Sequence, residues 1–133
     1  MQDEIRILRD IYHQSKKSIC SIDRICMHSS DMQMRHLLDS QREEYLQIAH
    51  LAQRLLCGRG YGNVRMRGSL AMLPLPRSEQ KMAERRLRDC TVAMERSIQI
   101  LNRQAVDPKI SSLGRQLLLA QQAETARFRQ FLS

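Results

Sequence analysis

Apolar residues recur along the chain in steps of three and four, the spacing that keeps side chains on one face of an α-helix. Four such stripes predict helices over residues 3–28, 31–57, 78–105 and 108–132. The predicted inward positions, helix by helix, are Ile5, Leu8, Tyr12, Ser15, Ile19, Ile22 and Cys26; Met34, Leu38, Gln41, Tyr45, Ile48, Ala52 and Leu55; Ala83, Leu87, Cys90, Met94, Ser97, Leu101 and Ala105; and Ile110, Leu113, Leu117, Ala120, Glu124, Phe128 and Phe131.

Residues that favour helix ends lie at the borders of these stripes. Ser30 followed by Gln33 predicts a capping box for the second helix, and Gly58 predicts its end. Ser78 is the expected N-cap of the third helix. Asp107 followed by Pro108 predicts an N-cap with proline at the first helical position of the fourth helix.

Short turns after the first and third helices predict two antiparallel helical hairpins, joined by a connection over residues 58–77. A helix of about 25 residues is roughly 37 Å long, and twenty extended residues reach about 65 Å, so the connection can cross the whole bundle. We therefore predict a single domain over residues 1–133 with the fold class of an all-α, antiparallel four-helix bundle of the ferritin-like type. An up-down-up-down bundle with a loose loop is the alternative.

Composition adds three expectations. Aromatic residues are 4% of the chain and Trp is absent, so the core must be aliphatic. The net charge of +8 permits nucleic acid, an anionic membrane or an acidic protein as a partner. The four cysteines, Cys20, Cys26, Cys57 and Cys90, form no CxxC pair, which favours reduced thiols in a cytoplasmic protein. Acidic Asp3 and Glu4 argue against a signal peptide, and apolar runs of four residues are too short to span a membrane.

A helical bundle of this type invites a search for a di-metal site, which needs inward carboxylates on all four helices and Glu-x-x-His motifs on two. No Glu-x-x-His occurs, and Glu124 is the only acid inside a stripe. Glu44 lies on the shoulder of its helix, so Glu44 and Glu124 are the remaining metal-ligand candidates. We expect no bound metal or cofactor, and we expect Glu124 to bond to a neighbour such as Tyr45, Gln41 or Ser97.

Catalytic chemistry finds little support in the pattern. Cys90 falls in a core stripe, where a thiol is usually packing material. His36 and His50 lie on the outward face of their helix, away from any nucleophile. The expectation is that the protein is not an enzyme.

Between Glu44 and Glu79 the chain has arginines but no acid. Arg59 stands among glycines beside Tyr61, and flexible Gly/Arg segments with an aromatic can hold phosphates and stack on bases. Arg59, Arg65 and Arg67 are therefore candidates for binding nucleic acid or another anion.

The segment from Gln41 to Ala49 and the run from Leu117 to Leu132 resemble a family of small, uncharacterised ferritin-like four-helix proteins from anaerobic Gram-positive bacteria. The resemblance implies a ferritin-like bundle in a bacterial cytoplasm, with spore-coat proteins as a distant analogy. The sequence departs from true ferritins in lacking their metal ligands, so no functional residue carries over.

The leading functional expectation is a non-catalytic bundle that acts through a protein partner or its own homodimer, with no membrane involvement. Leucines that fall off the main stripes predict a face for self-association. Its members are Ile25, Leu46, Val106, Leu118 and Leu119. Anion binding through the Arg-rich connection and a degenerate metal-binding site are the two alternatives.

Overall fold

The computed structural model describes residues 2–62, 75–103 and 107–133, and every regular element in these ranges is an α-helix. The helices are α1 (Gln2–His28), α2 (Met32–Cys57), α3 (Glu79–Leu101) and α4 (Pro108–Leu132). The predicted all-α fold class is confirmed. No helix among these residues combines the length and the apolar character that a membrane span requires.

Local sequence signals fix most helix ends. The Ser78 hydroxyl caps α3 by accepting a hydrogen bond from the Lys81 N–H, and the Asp107 carboxylate caps α4 by accepting one from the Lys109 N–H. Gly58 ends α2. These three boundaries agree with the prediction, because each depends on residues within one turn of the helix end.

The predicted cap of α2 is wrong by one residue. Asp31, not Ser30, is the N-cap, and its carboxylate accepts from the Met34 N–H at 3.0 Å. The backbone N–H of Ser30 instead donates to the Glu79 carboxylate at 2.9 Å. The Glu79 carboxylate, at the start of α3, therefore accepts from the N–H group that the Gln33 side chain would bind in the predicted capping box.

Helix α3 is also shorter than predicted. It ends at Leu101 with Asn102 as its C-cap, whereas the sequence pattern continues to Ala105. Arg103, just past the end, turns its side chain to Asp10 on α1, with 2.9 Å between Nη1 and Oδ2. Residues 104–106 lie outside the described residues.

Neighbouring helices run antiparallel around the bundle. Between α1 and α3, Asp10 faces Arg103 while Ser29 faces Glu79, so the two helices run in opposite directions. Between α2 and α4, Tyr45 bonds to Glu124. Arg59, just past the end of α2, bonds to Asp107 at the start of α4, so these two helices are also antiparallel. Helices α1 and α2, and α3 and α4, form the two predicted hairpins.

These pairings select the crossover connection over the up-down-up-down alternative. The start of α3 lies beside the α1–α2 turn, where Glu79 contacts Ser29 and Ser30. The end of α2 lies at the opposite end of the bundle, beside Asp107. Helices α2 and α3 therefore run parallel on a diagonal, and the chain between them joins opposite ends of the bundle.

The core is aliphatic, as the composition predicts, with Tyr45 and Phe128 as its buried aromatic residues. Five predicted inward residues are only partly buried and lie at its edge: Tyr12, Cys26, Leu55, Leu87 and Phe131. The self-association face predicted from the sequence needs correction: Ile25 is buried in the core, and Leu46 packs against it. Leu119 is exposed as expected, and Val106 lies outside the described residues.

Candidate functional site

A layer of buried polar side chains crosses the middle of the bundle, and all four helices contribute to it. In a bundle of this kind, this is where a cofactor or metal site is built from facing helices. Its buried members are Gln14 from α1, Gln41 and Tyr45 from α2, Arg86, Cys90 and Ser97 from α3, and Gln121, Glu124 and Thr125 from α4.

The Glu124 carboxylate is the centre of one half of this layer. Arg86 donates to both of its oxygens, from Nε to Oε2 at 2.6 Å and from Nη2 to Oε1 at 2.8 Å. The Tyr45 hydroxyl donates to Oε1 at 2.6 Å. Glu124 is fully buried and Arg86 is only 3% exposed, so this is a two-pronged ion pair without solvent.

Burial and the ion pair set the protonation of the groups around Glu124. Burial opposes the charge on Arg86, but the facing carboxylate outweighs it and raises the pKa of Arg86, which stays a cation. Burial and the negative charge of Glu124 raise the pKa of the Tyr45 hydroxyl well above its usual range. The same two causes raise the pKa of the Cys90 thiol to about 11. Cys90 is therefore a protonated, buried thiol, the opposite of an activated nucleophile.

The second half of the layer is uncharged. Gln14 accepts from Ser97 at 3.2 Å and from the Gln121 amide at 3.0 Å, and Ser97 also donates to the Gln121 oxygen at 2.6 Å. These contacts tie α1 to α3 and α4. Among the described residues, the side-chain nitrogen of Gln14 is the buried polar atom without a hydrogen-bond partner.

Cys90 and Thr125 join the two halves. The Cys90 thiol lies 3.4 Å from the Gln121 carbonyl oxygen and 3.6 Å from the Glu124 carboxylate. Thr125 donates to the same Gln121 carbonyl at 2.9 Å. Apart from Gln41, whose amide lies against the Ala120 carbonyl and Arg127, the layer is one connected network in which the polar atoms mainly bond to one another.

Sequence reasoning found part of this network. Of the three predicted partners of Glu124, Tyr45 bonds to it, whereas Ser97 bonds to Gln14 and Gln121. Cys90 is the predicted core thiol. Arg86 was missed, although its steps of three from Ala83 and four to Cys90 place it on the α3 stripe. Gln14 and Gln121 were also missed, because the stripes place their neighbours Ser15 and Ala120 at the inward positions.

The two metal-ligand candidates do not form a site. Glu124 is the only carboxylate in the buried layer, and Arg86 and Tyr45 occupy its oxygens. Glu44 has a side chain that is 41% exposed, and its closest recorded cation is Arg127 at 4.0 Å. No cluster of three or more His, Cys, Asp or Glu residues that could hold an ion occurs in the described part of the chain. The residues present do not fit the di-metal centre that a ferritin-like bundle implies.

Arg59, the first of the anion-binding candidates, pairs within the molecule. It contacts Asp107 at 2.5 Å and Glu4 at 3.4 Å, and it donates to the Leu55 carbonyl at 3.1 Å. The Arg9 guanidinium lies over the Tyr61 ring, with 5.3 Å between its central carbon and the ring centre. This segment holds one end of the bundle together. Arg65 and Arg67 lie outside the described residues.

A surface groove of about 520 Å³ runs along the outer side of α2. The described residues that line it are His50, Gln53, Arg54 and Cys57, all from one helix. Side chains on the convex face of a single helix diverge, so these groups do not converge on a bound molecule. Residues His36 and His50 are exposed, as the sequence predicts.

No protein-family model matches the chain, and no curated protein or solved structure is significantly similar to it. The resemblance to a ferritin-like bacterial family therefore stays a prediction.

Proposed function

We propose that the protein is a non-catalytic helical bundle that acts by self-association. The observation that carries the first half of this proposal is the closed polar network around Glu124. Its carboxylate, guanidinium, phenol and thiol bond to one another and are buried, so a substrate could reach them only if the bundle opened. Such a network stabilises a unique arrangement of the four helices.

The surface between α2 and α4 supports the second half. Leu51 is 40% exposed and Leu119 is 63% exposed. Tyr45 on α2 bonds to Glu124 on α4. Leu51 comes six residues after Tyr45, and position 118 comes six residues before Glu124. Because α2 and α4 run antiparallel, the two leucines lie within about one residue of the same height on neighbouring helices, and both are exposed.

Charge favours this face for contact between two copies. Each chain carries a net charge of +8, so association must use a region with few cations. Two exposed cations, Arg54 and Arg115, each lie about one turn from one of the leucines, while three other neighbours are uncharged: Gln47 on α2 and Gln116 and Ala123 on α4. We define Leu51, Leu119 and these three neighbours as the α2–α4 face.

Light scattering coupled to size-exclusion chromatography tests the proposal. The wild-type chain is expected to have the mass of a dimer, and the double variant Leu51→Ser/Leu119→Ser that of a monomer. The matched control is Val92→Ser on α3, because Val92 is 61% exposed and lies on another side of the bundle. A wild-type monomer at all concentrations, or a dimer that survives in the double variant, would contradict self-association through this face. Turnover that disappears in Glu124→Ala would contradict the non-catalytic role.

A further inference from the structure

The outer face of α1 carries a basic side chain on almost every turn. At about 100° per residue, these residues fall within a sector of about 100° opposite the buried stripe of the helix. Its basic members are Arg6, Arg9, His13, Lys16, Lys17 and Arg24, and we call this set the α1 basic face. From Arg6 to Arg24 the face extends over about 27 Å.

The acids of α1 do not neutralise this face, because they pair with other parts of the chain. Asp23 binds Arg42 at 2.7 Å, and Glu4 binds Arg59 at 3.4 Å. Asp10 lies 2.9 Å from Arg103 and 3.9 Å from Arg96. The remaining acid, Asp3, is in the first turn at the edge of the outward sector.

Four members of the face have no such partner. Within the described residues, Arg6, Lys16, Lys17 and Arg24 make no recorded salt bridge, and Arg6 and Lys17 are exposed. A straight row of unneutralised cations makes a positive potential that adds along its length. The complementary partner is a rod with closely spaced negative charge.

We propose that the α1 basic face binds the phosphate backbone of double-stranded nucleic acid without reading its sequence. A duplex carries one phosphate for about every 1.7 Å of its axis, so many phosphates lie within reach of a 27 Å row of cations. This inference goes beyond self-association, and it places the anion site on α1 rather than on the connection that contains Arg59.

The structure favours a duplex over two other polyanions. Single strands are held largely by stacking on aromatic rings, and the rings beside this face, Tyr12 and Tyr61, already pack against its own members His13 and Arg9. An anionic membrane is usually bound by an amphipathic helix that inserts its apolar face. The apolar face of α1 is buried in the bundle core, which leaves Met27 as the exposed apolar residue at the end of the outward sector.

The test is a fluorescence-anisotropy titration of a short labelled DNA duplex of arbitrary sequence, repeated at several salt concentrations. For the wild-type chain, log K is expected to fall linearly with log salt, with a slope of about −4 if four or five phosphates are neutralised. The neutral variant Lys17→Gln/Arg24→Gln should make the slope shallower, from about −4 to about −2, since two contacts are lost. The charge-reversed variant Lys17→Glu/Arg24→Glu should weaken binding at least tenfold at low salt.

The matched control reverses the same amount of charge elsewhere. Arg115 and Arg129 are exposed cations on α4, diagonally across the bundle, and neither makes a recorded salt bridge within the described residues. Arg115→Glu/Arg129→Glu should weaken binding by no more than about threefold. Equal weakening by both reversed variants would reduce the effect to net charge and overturn the assignment to α1. Absence of binding at low salt, or binding to anionic vesicles without binding to DNA, would also overturn it.

Discussion

Replacing Glu124 with glutamine keeps the shape of the side chain but removes the charge that faces Arg86. The Arg86 guanidinium would then remain buried and face a neutral amide instead of a carboxylate. One end of this amide is an N–H₂ group, which cannot accept the hydrogen bonds that Arg86 and Tyr45 donate to Glu124. Breaking one side of a buried ion pair costs about 3–5 kcal/mol, because the remaining charge has neither its partner nor water. That is a large share of a total stability of about 5–15 kcal/mol.

Urea unfolding followed by far-ultraviolet circular dichroism measures this loss. With a denaturant slope of about 2 kcal/mol per molar, Glu124→Gln should move the midpoint down by about 2 M. Replacing the whole cluster, with Arg86→Met, Glu124→Leu and Tyr45→Phe together, removes every charge at once and should cost no more than about 2 kcal/mol.

The control for this series is Asp23→Asn, which breaks the exposed pair with Arg42. Both side chains of that pair are more than one-third exposed, so the loss should be below about 1 kcal/mol. A cost below about 1 kcal/mol for Glu124→Gln would refute the reasoning. So would a triple variant whose cost equals the sum of its single substitutions, because the argument requires strong coupling between them.

Three further outcomes are expected. The Cys90 thiol has a pKa of about 11 in the folded chain against 9.0 for an ordinary thiol. Above pH 9 the unfolded chain therefore loses this proton first, stability falls by about 2–3 kcal/mol up to pH 11, and Cys90→Ala should remove that part of the alkaline loss in pH-dependent urea titrations. The Lys109 N–H and the Arg59 guanidinium lower the pKa of Asp107, so its stabilising effect is present at neutral pH and is lost as pH falls through the folded pKa. Asp107→Asn keeps a good cap, and its thermal midpoint should lie below that of the wild type at neutral pH and approach it as the pH falls through the folded pKa of Asp107. Asp31→Ala should cost about 1 kcal/mol in urea unfolding, whereas Ser30→Ala should cost less, and the reverse order would contradict the observed cap.

Helix positions could be predicted because their signals are local. The stripes need only the next three or four residues, and the caps at Ser78 and Asp107 need only the first turn. Where a local signal competed with a distant contact, the prediction failed. Ser30 and Asp31 are equally good caps by type, and the choice between them depends on Glu79, which bonds to Ser30 from 49 residues away.

The candidate site was harder to predict than the fold, since its central pair joins residues 38 positions apart. The position of Arg86 on the α3 stripe was visible in the sequence. An arginine on a stripe is, however, usually at an edge where its charged end reaches water. Burial of the whole guanidinium depends on the bidentate contact with Glu124, and only the packing of α3 against α4 reveals that contact.

The topology shows the same limit. Two helices joined by a connection of twenty residues can end up parallel or antiparallel, and chain length permits both. The choice depends on which bundle end holds Glu79, and that is set by its hydrogen bonds to Ser29 and Ser30 at 2.6 and 2.9 Å. Glu79 is 50 residues from Ser29 and 49 residues from Ser30 along the chain, so no local pattern could have selected the crossover.

The arrangement of charge connects the fold to both proposals. Arg86 and Glu124 cancel inside the bundle, so the net charge of +8 is carried at the surface. The pairs that fasten α1 to its neighbours, such as Asp23 with Arg42 and Asp10 with Arg103, turn its acids sideways and leave its outer face positive. Helix α4 lies diagonally opposite, and beside it the α2–α4 face has Leu51 and Leu119 among uncharged neighbours, with Arg54 and Arg115 at its rim. Contact between two copies through that face would therefore leave both α1 basic faces exposed, so one dimer could hold two duplex segments at once.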